Sequence, residues 1–138
     1  MRRKGQIGVE YLIIVGFLTF AIISLLALAY FYSEQTKDKI RLNQAESFAT
    51  QLIGSAETVF FAGEPSKTTI SLYLPSGVDE ITISGNALLM RMHVSNGGEN
   101  LRIFDSKVGL SGVISLSEGT KRLTLDARTN DVMISPAP

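Results

Sequence analysis

The sequence predicts an α+β chain: one long N-terminal α-helix, membrane-spanning and then amphipathic, packed on a small antiparallel β-sheet or β-sandwich head. Three observations predict it. The 23 residues from Tyr11 to Ser33 carry no charge, and about 20 apolar residues suffice to span a bilayer as a helix. Between Ala45 and Phe60 apolar residues recur with the helical period. After Ser66 the period becomes two, with turn residues between short apolar alternations.

Bulk composition bounds the function. At 138 residues there is room for one small domain and an anchor. The 13 basic and 13 acidic residues balance, so nothing points to nucleic acid. Cysteine is absent and histidine occurs once, which leaves no disulfide framework, no thiol chemistry and no His/Cys metal site.

The front of the chain carries the sharpest pattern. Arg2, Arg3 and Lys4 are followed at once by Gly5-Gln6, then by a lone acid, Glu10, and no further charge appears until Glu34. An ordinary secretory signal peptide is one reading, with Ala27-Leu28-Ala29 as a cleavage site. A signal h-region is about 7–15 residues, far shorter than this run. A plain signal anchor is the second reading. The third is a leader cut on its basic side, with the apolar segment retained in the mature protein.

Lys4-Gly5-Gln6 followed by Glu10-Tyr11-Leu12 resembles the class III signal peptide of archaeal type IV pilins. The specific likeness covers residues 2–12. It implies that a prepilin peptidase cuts between Gly5 and Gln6, making Gln6 the new N-terminus and Glu10 the fifth mature residue. Archaellins share the leader logic but usually lack this glutamine and glutamate. The resemblance also implies a lollipop architecture, a filament that is a helical homopolymer of the chain, and a pilus assembly ATPase and membrane platform protein as partners. It implies adhesion as the filament's use.

The chemistry of the residues fits that cut. Gly5 has no side chain, so a protease can approach the backbone closely. Cleavage removes three positive charges, leaving 13 − 3 = 10 basic against 13 acidic residues. Glu10 then lies in the first turn of the mature helix, where an acid complements the macrodipole. In an apolar bundle a lone carboxylate is penalised unless paired, and the amine of Gln6 on a neighbouring subunit is the natural partner. The bland alternative is an acid at a helix N-terminus on the membrane surface.

Topology follows from the flanks. Arg2, Arg3 and Lys4 hold the N-terminus in the cytoplasm, which puts the head outside. Tyr11 at one end and Tyr30, Phe31 and Tyr32 at the other form two interface belts, separated by roughly 30 Å of helix. Proline is absent before Pro65, and Gly8 and Gly16, about two turns apart, offer a close-packing face. Aromatics at this spacing are packing and interface residues rather than a conduction path.

Residues 34–43 read as a polar, exposed helical collar. Ala45, Phe48, Ala49, Leu52, Ile53, Ala56, Val59 and Phe60 then share an arc of about 140°, and Gly63-Glu64-Pro65 is a stop signal. The sequence therefore divides into a cleaved leader 1–5, a membrane or filament-core helix 6–33, an amphipathic helix 34–62 and a β-rich extracellular head 63–138.

In the head the apolar alternations that read as strands are Ile70, Leu72 and Leu74; Ile81 and Ile83; Leu88, Met90, Met92 and Val94; Leu101 and Ile103; Leu123 and Leu125; and Val132 and Ile134, with a shorter run at Val113–Leu116. Its chemistry is sparse. His93 stands beside Arg91 on the polar face of its strand. Gly109-Leu110-Ser111-Gly112 lacks the spacing of a nucleophile elbow. Asp79-Glu80 and Glu118 are too scattered for a calcium loop, and no Asn-x-Ser/Thr sequon occurs. No catalytic, cofactor or metal residue is expected, and the chain reads as no enzyme. The leading reading is a pilin-like structural subunit. The runner-up is a membrane-anchored extracellular binding module that never polymerises, or a minor or tip pilin.

Overall fold

The computed structural model describes the backbone from Arg3 to Pro138 and side chains from Ile7 onward. The predicted cut at Gly5-Gln6 falls before that point, outside the described side chains. One helix, α1, spans Arg3–Ala62. The strands that follow are β1 Lys67–Leu74, β2 Val78–Ser84, β3 Ala87–His93, β4 Glu99–Asp105, β5 Gly109–Gly112, β6 Gly119–Ala127 and β7 Asp131–Pro136. The fold is α+β, as the periods predict. The chain divides into two units, Met1–Lys37 and Asp38–Pro138, and α1 contributes residues 38–62 to the second.

The amphipathic half of α1 buries the stripe read from its spacing. Ala45, Phe48, Ala49, Leu52, Ile53, Ala56 and Val59 are all buried, and Phe60 packs at the margin. Gly54 lies exposed on the opposite side. The helix ends at Gly63, whose φ of 80° suits glycine. There the Gly63 N–H donates to the Phe60 carbonyl at 3.0 Å, and the Ser66 N–H donates to the Gly63 carbonyl at 2.8 Å.

The strands form a four-stranded sheet, β1-β6-β7-β5, and a three-stranded sheet, β2-β3-β4. Leu72 and Leu74 of β1, Leu88, Met90 and Met92 of β3, Leu123 and Leu125 of β6, and Val132 and Ile134 of β7 close one core with the helix stripe. Burying side chains such as Phe48 and Leu52 supplies about 1.5–3 kcal/mol each.

Three details differ from the sequence reading, each for a physical reason. First, β5 and β7 are parallel in an otherwise antiparallel head. Parallel neighbours need a crossover between them, and β6 with its flanking loops is that crossover. Second, the strand expected at Val113–Leu116 lies just upstream, at Gly109–Gly112. A Cβ at Gly112 would fall 2.0 Å from the Ile134 carbonyl oxygen, and one at Gly109 would fall 2.9 Å from that of Asn130. The backbone of β7 and its preceding turn therefore comes too close for side chains, and glycines at both ends of β5 admit it. Of the displaced run only Ile114 is buried, while Val113 is 80% exposed.

Third, β4 turns its apolar alternation outward. Leu101 and Ile103 are 55% and 59% exposed, whereas Phe104 packs against the core. Buried Leu88 pairs with Phe104 and buried Met90 with Arg102, so Leu101 and Ile103 share the outer row with Arg91 and Leu89. A one-residue change of register reverses every side chain.

Two acids of α1, Asp38 and Glu57, and one in the turn after it, Glu64, are tied to the strand loops. Asp38 accepts hydrogen bonds from Ser95, Glu57 Oε1 accepts the Lys107 N–H at 3.0 Å, and Glu64 Oε1 accepts the Thr129 hydroxyl at 2.9 Å. The collar at residues 34–43 is thus not wholly free: Asp38 and Arg41 are half-buried.

Candidate membrane and assembly segment

The first unit is built from residues whose side chains have almost no cover within the chain. From Ile7 to Ser33 every residue but Ala21 is exposed. The helix is long and apolar enough to cross a membrane, and the apolar window has no buried residue. Isolated exposed hydrophobes need no explanation, but a contiguous apolar surface of this size marks an interface or a membrane contact.

The hydroxyls inside the span bond to their own helix, as those of Thr36 and Thr58 do beyond it. Thr19 Oγ1 donates to the Val15 carbonyl at 2.8 Å, and Ser24 Oγ donates to the Phe20 carbonyl at 2.8 Å. Such back-bonding to residue i−4 satisfies a hydroxyl within its own helix, and hydrocarbon offers no other partner. The polar end follows at once, where Lys37 Nζ meets Glu34 Oε1 at 2.9 Å across an exposed turn.

Glu10 is exposed and makes no hydrogen bond or ion pair among the described residues. In the uncut chain the helix starts at Arg3, which puts Glu10 about two turns in. A cut at Gly5-Gln6 would leave it about one turn from the new N-terminus. Tyr11, Tyr30 and Tyr32 are all exposed along the same helix. The chain itself brings none of these residues together, since they are spaced along one helix. Gly8 and Gly16 have open space where a Cβ would stand.

The second unit holds little chemistry. No group of three or more His, Asp or Glu is placed to hold a metal among the described residues. His93 is exposed and lies opposite Glu99. Ser111 Oγ donates weakly to Met133 Sδ at 3.6 Å. Arg91 lies 3.3 Å from Glu80 and 4.0 Å from Glu99, an exposed cluster worth about 0–1 kcal/mol per pair.

Two features escaped the sequence reading. One is the set of carboxylate ties at Asp38 and Glu57 of the helix and at Glu64 just after it, whose partners lie 50 to 65 residues away. The other is a cleft of about 540 Å³ between α1 and β1, lined by Ile40, Phe48, Gln51, Leu72 and Tyr73 among others. Its walls are uncharged. No local pattern encodes either feature.

No family model, curated protein or solved structure matches this chain.

Proposed function

We propose that this chain is a structural subunit of a type IV pilus-like surface filament, of the archaeal kind that its leader resembles. One observation carries the reading: an apolar helical surface from Ile7 to Ser33 is exposed nearly all round, with a single acid, Glu10, near its start. A bilayer covers such a surface, and so does a bundle of like helices. The lone acid is what favours the bundle. A membrane anchor has no use for it, whereas a bundle can set its axial register by pairing Glu10 with the amine of Gln6 on the next subunit.

In this reading the new chain lies in the membrane with Arg2, Arg3 and Lys4 in the cytoplasm and the head outside. A prepilin peptidase cuts between Gly5 and Gln6. An assembly ATPase and a membrane platform protein then draw the helices into a filament, heads outward.

Mass spectrometry of the native protein, with electron microscopy of material sheared from cells, tests the proposal. The expected results are a mature N-terminus at Gln6 and filaments composed of this chain. An intact Met1 or a cut after Ala29 would overturn it. A membrane-bound, uncut protein without filaments would instead be an anchored binding module.

A further inference from the structure

We propose that neighbouring copies of this chain join their heads by strand addition, β1 of one copy pairing antiparallel with β4 of the next. The proposal rests on the reading above only in requiring copies side by side.

The sheets leave two edges open. Among the described residues β1 pairs with β6 alone and β4 with β3 alone. The other two edges, β5 and β2, lie against each other, and there the Leu110 N–H donates to the Gly85 carbonyl at 2.9 Å. An open edge is a row of backbone donors and acceptors that templates another strand, and proteins usually blunt it with proline, bulges or charge. β2 has a bulge between Val78 and Glu80. β1 has neither proline nor bulge and a single charge, Lys67, at its end.

Clefts also run beside β1, between it and α1. The 540 Å³ cleft runs along Ser71, Leu72 and Tyr73. Clefts of about 420 and 380 Å³ continue it past Ile70 to Thr68 and Lys67. An added strand needs a spacing of about 4.7–4.9 Å from its neighbour.

Charge and face select β4 as the occupant. Antiparallel pairing of β4 with a second β4 about Arg102 would set Arg102 against Arg102 and Glu99 against Asp105, and like charges directly opposed repel. Pairing of β1 with β4 sets Lys67 against Asp105, Thr69 against Ile103, Ser71 against Leu101 and Tyr73 against Glu99. All eight of these residues are exposed, so the solvent faces of the two sheets coincide in this register. Lys67, already 3.9 Å from Asp126 of β6, gains a second opposite charge, and the apolar side chains of Leu101 and Ile103 gain further cross-strand neighbours. Such an interface is heterologous, so it propagates as a ring or an open helical polymer.

The absence of native cysteine permits a direct test in the full chain, using Thr69→Cys with Ile103→Cys. Opposed residues of an antiparallel pair have Cα atoms about 4.5–5.5 Å apart, within the roughly 4.4–6.8 Å that a disulfide spans. Mild oxidation of sheared filaments and of cell membranes is expected to give a reducible ladder of dimers, trimers and higher species. Either single variant is expected to stay monomeric. Asp105→Lys in the double-cysteine background is expected to weaken the ladder, because it sets two lysines opposite each other. Intact filaments without a ladder would overturn strand addition and leave the filament reading standing. Dimers from Thr69→Cys alone would show β1 pairing with itself and also overturn it. A ladder in membranes of cells that make no filament would support strand addition while refuting the filament, and no ladder in either fraction would overturn it.

Discussion

Asp38 holds Ser95 with both carboxylate oxygens. Oδ2 accepts the Ser95 backbone N–H at 3.0 Å, and Oδ1 accepts its hydroxyl at 2.8 Å. The contact joins the helix, where the second unit begins, to the β3–β4 loop 57 residues away. Arg41 Nη1 lies 3.7 Å from the same carboxylate. The hydroxyl and backbone hydrogen bonds of Ser95, then the charges of Arg41 and His93, hold the Asp38 carboxyl below its ordinary value of 3.8.

That depression gives a signed pH dependence. A carboxylate with a lower pKa folded than unfolded contributes stability above its unfolded pKa and loses it as pH falls through the folded value. Asp38→Asn should therefore melt at a lower temperature than the parent at pH 6. The gap should close as pH falls below about 3.8, the ordinary value that the folded carboxyl lies beneath. Thermal melts of the two proteins from pH 6 to pH 2.5 measure this. A gap of constant size would show that the charge of Asp38 plays no part.

The helix stripe makes a prediction of size. Leu52 is fully buried between α1 and the sheets, and Leu→Ala in such a core costs about 2–5 kcal/mol. Thr50, two residues earlier and exposed, should tolerate Ala within about 0.5 kcal/mol. Urea unfolding of the full chain in detergent, followed by a head-specific signal, compares the two. Equal effects would mean that the stripe does not hold the head.

What was legible in the sequence was periodicity. The stripe from Ala45 to Phe60, the stop at Gly63, and the inward rows of β1, β3, β6 and β7 all follow from spacing, because side-chain direction repeats every 3.6 or two residues. The misplaced parts turn on distant backbone. β5 is defined by how closely β7 approaches Gly112, and β4 by the register that sets Phe104 rather than Ile103 beside the core. The grip of Asp38 on Ser95 belongs to the same class, since nothing near residue 38 names a partner at residue 95. Glu10 was legible as an anomaly, a lone acid ahead of an uncharged run.

Two glycines should respond oppositely to alanine. At Gly112 the φ of 121° and a Cβ contact of 2.0 Å with the Ile134 carbonyl oxygen demand a backbone shift. Strain in such a conformation costs about 1–3 kcal/mol, and overpacking adds about 1–3 kcal/mol. At Gly54, exposed on the helix with nothing within 4 Å of a Cβ, alanine should stabilise by about 0.5–1 kcal/mol. Denaturation midpoints of Gly112→Ala and Gly54→Ala should move to opposite sides of the parent. A Gly112→Ala protein as stable as the parent would contradict the close approach of β5 and β7.

Glu10 separates the two readings of the front segment by magnitude. If it is only an acid at a helix N-terminus on the membrane surface, its loss removes about 0.3–1 kcal/mol, too little to abolish assembly. If it pairs with the amine of Gln6 inside an apolar bundle, removing it leaves that amine buried and alone, a loss of about 3–5 kcal/mol at every subunit contact. Glu10→Ala and Glu10→Gln should therefore be processed and held in the membrane like the parent yet form no filaments. Glu10→Asp keeps the charge on a shorter arm and should assemble partially. Immunoblots of membranes report processing and retention, and electron microscopy of sheared material reports filaments. Normal filaments from Glu10→Gln would return Glu10 to the membrane surface and leave the bundle to be held by packing alone.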